Sequence, residues 1–222
     1  MKSTRNTRAG SIIVGVLAIG VASFGLAFAQ SQSPASAAQK TPGNAQAQND
    51  RQAAQEKAMQ AWIESMKPTK AHAELAARAG TYDVTFAIQS MEGGQPSVSK
   101  AKATLRSTLG GKFLAEDFQG EMMGQPMSGA GMMGYDNVRK QYVMTWADSL
   151  ATGILKFTGA KSREGDVITL FGEMDEPMTG EIGKTVKYVQ RIVDADHFVA
   201  EMWEVQYGKE FMVWKADYAR AK

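Results

Sequence analysis

The chain has 222 residues, with 25 basic and 23 acidic side chains, two histidines, 14 methionines and no cysteine. Without cysteine, disulfides, thiolate catalysis and zinc–thiolate sites are excluded together. Lys2, Arg5 and Arg8 fall in an acid-free start, so the remainder carries 22 basic against 23 acidic residues and offers no basic surplus for nucleic acid.

The start itself reads as an export signal. The three cations precede an apolar run from Ile12 to Leu26, and Ala27-Phe28-Ala29 supplies a small-x-small cleavage pattern before Gln30. The run is short for a membrane span, which needs about 20 apolar residues. A cleaved signal peptide over residues 1–29 is therefore expected, with an uncleaved anchor as the lesser alternative. No Arg-Arg pair precedes the run, which argues against the twin-arginine route. The expected destination is the periplasm, by the general secretory route, with no stable membrane insertion after cleavage.

Residues 30–48 are rich in Gln, Ala and Ser, lack large apolar side chains, and read as a disordered spacer. Asn49 or Asp50 is placed to cap a helix on which Ala54, Ala58, Trp62 and Met66 recur every fourth residue, ended by Pro68. Thr69 is placed to cap a second, shorter helix with Leu75, Ala76 and Ala79 on one face and Gly80 at its end. These two short helices occupy residues 49–79.

After Gly80 the period drops to two. Tyr82, Val84, Phe86 and Ile88 alternate with Asp83, Thr85, Ala87 and Gln89. Similar runs follow near 98–109, 112–119, 128–135, 140–148, 153–160, 166–173, 184–193, 197–206 and 210–219. Gly110-Gly111, Gly124-Gln125-Pro126, Asp136-Asn137, Arg163-Glu164-Gly165, Asp175-Glu176-Pro177 and Asp194-Ala195-Asp196 separate them. Ten strands joined by turns, with no helix between them, predict a mainly β fold. It is a single antiparallel up-and-down β-barrel over residues 80–222, because an open sheet that long leaves hazardous edges. A two-sheet sandwich is the rival. Closed barrels of this size hold either a packed core or one small ligand.

Several motifs in this order are familiar. His72-Ala73-Glu74-Leu75 followed by Gly80-Thr81-Tyr82 resembles the beginning of the first strand in lipocalin-like barrels, with Tyr82 where those often carry Trp. With Leu109–Phe113, Gly134–Asn137, Thr145–Ser149, Thr152-Gly153, Pro177, Gly180 and Arg191, the chain resembles the bacterial domain-of-unknown-function family numbered 1579, over about residues 58–220. The resemblance implies a calycin-type barrel and no established activity.

Candidate chemistry concentrates on the strand Gln141–Asp148. One face carries Tyr142, Met144, Trp146 and Asp148, an apolar wall with one carboxylate. Arg191 is the expected partner if Asp148 points inward; otherwise Asp148 sits in the turn DSLATG and accepts from backbone N–H groups. Glu201, flanking Trp203 with Glu204, either joins that network or faces water, since register decides which. His72 and His197 are too few for the imidazole sets that catalytic metals use, though one histidine is enough for haem. Met122, Met123, Met127, Met132 and Met133 lie within twelve residues, either as copper(I) ligands or as adaptable lining. No phosphate-cradling glycine loop and no G-x-S-x-G elbow occur.

The function expected is that of an exported barrel holding a small apolar or amphipathic molecule, without a cofactor. Tyr142, Met144, Trp146, Asp148, Arg191 and Glu201 form its site. The alternative is a cofactor-free isomerase or cyclase working through Asp148, Arg191 and Glu201. A scaffold role for the N-terminal helix is the third.

Overall fold

A computed structural model describes residues 42–89, 94–206 and 209–222. The signal-peptide reading and most of the spacer lie outside these residues. The chain divides into two units, residues 1–48 and residues 49–222. The second holds the fold.

Helix α1 spans Pro42–Ser65 and begins seven residues before the expected cap. Pro42 suits the first helical turn, where a missing N–H costs nothing. The following Ala/Gln sequence has high helix propensity, which overrides its spacer-like composition. Residues 42–48, read from sequence as part of the spacer, thus fall within this helix. In its later turns Met59, Trp62 and Ile63 remain exposed. Helix α2, Lys70–Ala76, follows Thr69 as expected. The Thr69 N–H donates to His72 Nδ1 at 2.9 Å, a local bond that fixes the buried His72 ring.

The ten strands are β1 (Gly80–Ile88), β2 (Ser97–Thr108), β3 (Phe113–Met122), β4 (Gln125–Asp136), β5 (Gln141–Asp148), β6 (Leu155–Lys161), β7 (Val167–Glu176), β8 (Glu181–Ile192), β9 (His197–Gln206) and β10 (Lys209–Arg220). Each pairs antiparallel with its sequence neighbours, and β1 pairs with β10 to close the barrel. The closing register sets Tyr82 opposite Arg220 and Ile88 opposite Trp214. The sandwich is excluded by that closure, which also removes every sheet edge.

Period-two patterning acts as expected. Tyr82, Val84, Phe86 and Ile88 are buried on β1, while Thr81 and Asp83 face water. Tyr82, Phe157, Ile168, Leu170 and Val186 are among the most fully buried side chains. Each such burial contributes about 1.5–3 kcal/mol. Two expected turns are displaced. The β3–β4 hairpin turns at Met123-Gly124, with φ of 53° and 79°, leaving Gln125 and Pro126 in β4. A two-residue hairpin of that twist needs positive φ at both central positions. Strand β7 runs through Asp175 and Glu176 with a bulge, and the chain reverses over residues 177–180 instead.

Helix α2 packs at the end of the barrel formed by the close of β2 and β4 and the start of β3, burying Leu75. Gly80, expected to end that helix, instead opens β1 at φ 157°, and Arg220 Nη1 stands where a Cβ would be. Arg220 donates to the Ala79 carbonyl (2.7 Å), pairs with Asp196 (2.6 Å) and lies over the Tyr82 ring. One guanidinium thereby ties the α2–β1 junction to the β8–β9 turn.

Candidate functional site

The inward face of β5 carries Tyr142, Met144, Trp146 and Asp148, the face expected. Tyr142 is buried, and Met144 and Trp146 pack against the core. Gly129 and Gly131 on β4 leave the space that the Trp146 ring fills; a Cβ on Gly131 would stand 2.9 Å from its Cε3. At the strand end, Asp148 accepts from Trp146 Nε1 (2.9 Å) and from the Leu150 N–H (2.9 Å). Asp148 is therefore a turn and indole acceptor, the second of its two expected roles.

Arg191 and Glu201 are elsewhere. Tyr188 and Gln190 are inward residues of β8, so Arg191, next to Gln190, points outward and is exposed. Glu201 stands on the outer face of β9 between inward Ala200 and Met202, accepts from Trp203 Nε1 (3.2 Å), and faces Arg191 Nε at 3.8 Å. The two pair with each other, outside the barrel. Neither meets Asp148, and the acid–base set of Asp148, Arg191 and Glu201 is not assembled. Glu204 does point inward, against Lys184 Nζ at 3.2 Å. Burial works to lower the Lys184 pKa, but the hydrogen bond to Glu204 and the charges of Glu204, Glu181 and Glu176 outweigh it and raise it.

The methionine run is split by strand alternation and the β3–β4 turn. Met127 and Met133 are buried and Met122 packs on the core, whereas Met123 and Met132 are exposed. They do not converge as a sulfur site. His197 pairs with Asp217 at 2.9 Å and is half-buried, less exposed than its turn position implied.

The polar centre of the interior comes from residues the sequence pattern passed over. Arg78, in the segment between α2 and β1, is 7 % exposed. Its Nη1 donates to Gln190 Oε1, and Gln190 Nε2 donates in turn to Tyr188 Oη at 3.2 Å. Across the barrel, Tyr218 Oη donates to Glu116 Oε1 at 2.9 Å. Burial pushes the Glu116 carboxyl up to about 7, against the opposing effects of the Tyr218 bond and the Arg78 charge. Burial and the Glu116 charge likewise raise Tyr188 and Tyr218, while burial lowers Arg78. Glu116 was hidden in sequence by its neighbour Asp117, which makes the pair look like a solvated turn. Counting alternation back from Phe118 assigns it to the inner face.

Beside this cluster lies a void of about 20 Å³, lined on its polar side by Glu116, Tyr188 and Gln190 and on its apolar side by Leu105, Leu114, Met133, Met144 and Trp146. That is room for about one water with polar partners. A larger open groove of about 940 Å³ lies outside β1–β4, where it borders Asp83, Lys100, Lys102, Glu121 and Asp217. Those charges belong to the solvated face, as the Lys102–Asp83 contact of 3.6 Å illustrates. Among the described residues no cluster of three or more His, Cys, Asp or Glu side chains could hold a metal. No helix among them is long and apolar enough to cross a membrane.

These features define a closed ten-stranded antiparallel barrel with an ionisable group and a small void inside. The chain belongs to the family of proteins of unknown function designated DUF1579, whose profile matches residues 67–220, from the end of α1 to the end of β10. Among solved structures, that of Rv2717c from M. tuberculosis is similar at 20 % identity, with a TM-score of 0.50 over 70 % of this chain and 100 % of that one. That likeness concerns the fold alone. The search of curated proteins found no match.

Proposed function

We propose that the protein is an exported barrel that binds one small amphipathic molecule in its interior, at the void beside Glu116, Tyr188 and Gln190. The observation that carries this reading is a carboxyl titrating near neutrality against a void whose other wall is methionine, leucine and tryptophan. A core built for stability alone gains nothing from such a group, since apolar replacement of buried charge is often neutral or stabilising. The void itself has room for only about one water. A ligand displaces that volume and the side chains of Met133 and Met144, whose three rotatable bonds let them repack. Export rests on the Lys2–Ala29 pattern. Native mass spectrometry of protein purified from its own host tests both parts. A bound small molecule and a chain beginning at Gln30 are expected; repeated ligand-free spectra would count against the binding role, and an intact Met1 against cleavage.

One observation favours an acid–base enzyme as the second reading: the Glu116 pKa of about 7 suits proton transfer at neutral pH. On that reading Glu116→Gln retains the bound molecule and abolishes its conversion. An unchanged molecule after prolonged incubation with wild type would dismiss it.

A further inference from the structure

Arg78 makes no ion pair among the described residues, although the charges of Glu74 and Glu116 act on it from farther off. Its guanidinium sits in the interior, and its Nε is buried without any acceptor. The polar group it does reach, the Gln190 amide, is neutral. Glu116, whose charge it feels, has its carboxyl engaged by Tyr218 and at neutral pH is only partly ionised. A buried cation in this condition is costly, and an incoming anion removes the cost.

We propose that the interior ligand carries a carboxylate and that Arg78, with Gln190 and Tyr188 beside it, holds that head group while Met133, Met144 and Trp146 receive the apolar part. This rests on the ligand-binding reading above. A carboxylate is favoured over a dianionic phosphate because one guanidinium, among neutral phenols, an amide and a Glu116 that is protonated in the bound state, balances one negative charge. Its two oxygens also match the guanidinium fork. Arg78 itself does not border the void of about 20 Å³ and meets it through Gln190, which lines it. The head group therefore enters by displacing the Arg78–Gln190 bond and the one water that the void has room for.

Calorimetric titration of ligand-stripped protein with hexanoate, hexanol and hexylamine tests the assignment. Hexanoate should bind about tenfold or more tighter than hexanol, as expected for a charge-assisted hydrogen bond, and hexylamine weakest. Arg78→Met, similar in volume and uncharged, should fold and lose the preference for hexanoate while keeping hexanol. Should it fail to fold, Arg78→Lys keeps the charge without the fork and should retain a reduced preference. Equal binding of hexanol and hexanoate, or a preference that survives Arg78→Met, overturns the head-group assignment and leaves the ligand-binding reading standing. Failure of all three probes overturns the assignment too. The native mass spectrum then decides separately whether the barrel binds anything.

Discussion

Tyr218 of β10 and Glu116 of β3 meet across the barrel interior, the phenol donating to the carboxyl at 2.9 Å. The two lie 102 positions apart in sequence, and closure of the β1–β10 seam brings them within reach. The polar centre of the molecule thus depends on the barrel being closed, and its titration reports on folding.

Burial raises the Glu116 carboxyl to about 7 from 4.5. Between those values the folded chain holds a proton that the unfolded chain has released, so stability from this group is complete below 4.5 and is lost as pH rises through 7. The loss amounts to about 3 kcal/mol. Glu116→Gln should therefore match wild type near pH 4 and exceed it by about that amount at pH 8. Urea denaturation at both pH values measures the difference.

Asp148 caps the end of β5 by holding the Trp146 indole and the Leu150 N–H. Asp148→Ala removes both acceptors and should cost about 1–3 kcal/mol. Because Trp146 lines the void, its fluorescence should change along with the melting temperature. Loss of stability with unaltered emission would mean that the indole bond carries little.

Arg191 and Glu201 face each other on the outside at 3.8 Å, with Arg191 more than half exposed. Glu201 is itself buried on that outer face, but with Arg191 exposed and the contact long, their coupling in a double-mutant cycle should be about 1 kcal/mol. Arg191→Ala should leave interior binding unchanged. A large effect on binding would place this pair back in the site.

Gly131 leaves room for the Trp146 ring. Gly131→Ala forces a Cβ into that ring and should destabilise by about 1–3 kcal/mol. Ala130→Gly on the outward face serves as the control for backbone effects, and thermal melts compare the two.

Much of the barrel was legible from sequence. Alternation from Tyr82 onward identified all ten strands, and the β5 face was read correctly. Arg191 and Glu201 were misplaced for one physical reason. A period-two pattern tells which residues share a face, but on β8 and β9 bulky side chains occupy both faces, so the choice between them needs the register. Arg78 was missed because it follows a seven-residue helix and looks like a solvated C-terminal cation. Only the packing of α2 on the barrel end turns it inward. Helix α1 began earlier than expected because an Ala/Gln-rich segment can be either coil or helix, and composition does not separate the two.

Methyl-labelled methionine NMR tests the interior site most directly. The molecule that co-purifies with the protein is added back to stripped protein. Shifts at the Met133 and Met144 methyls, with Met59 and Met178 unmoved, are the result expected of a ligand lodged beside Glu116. Shifts confined to exposed methionines such as Met123 and Met178, with Met133 and Met144 unchanged, would contradict it.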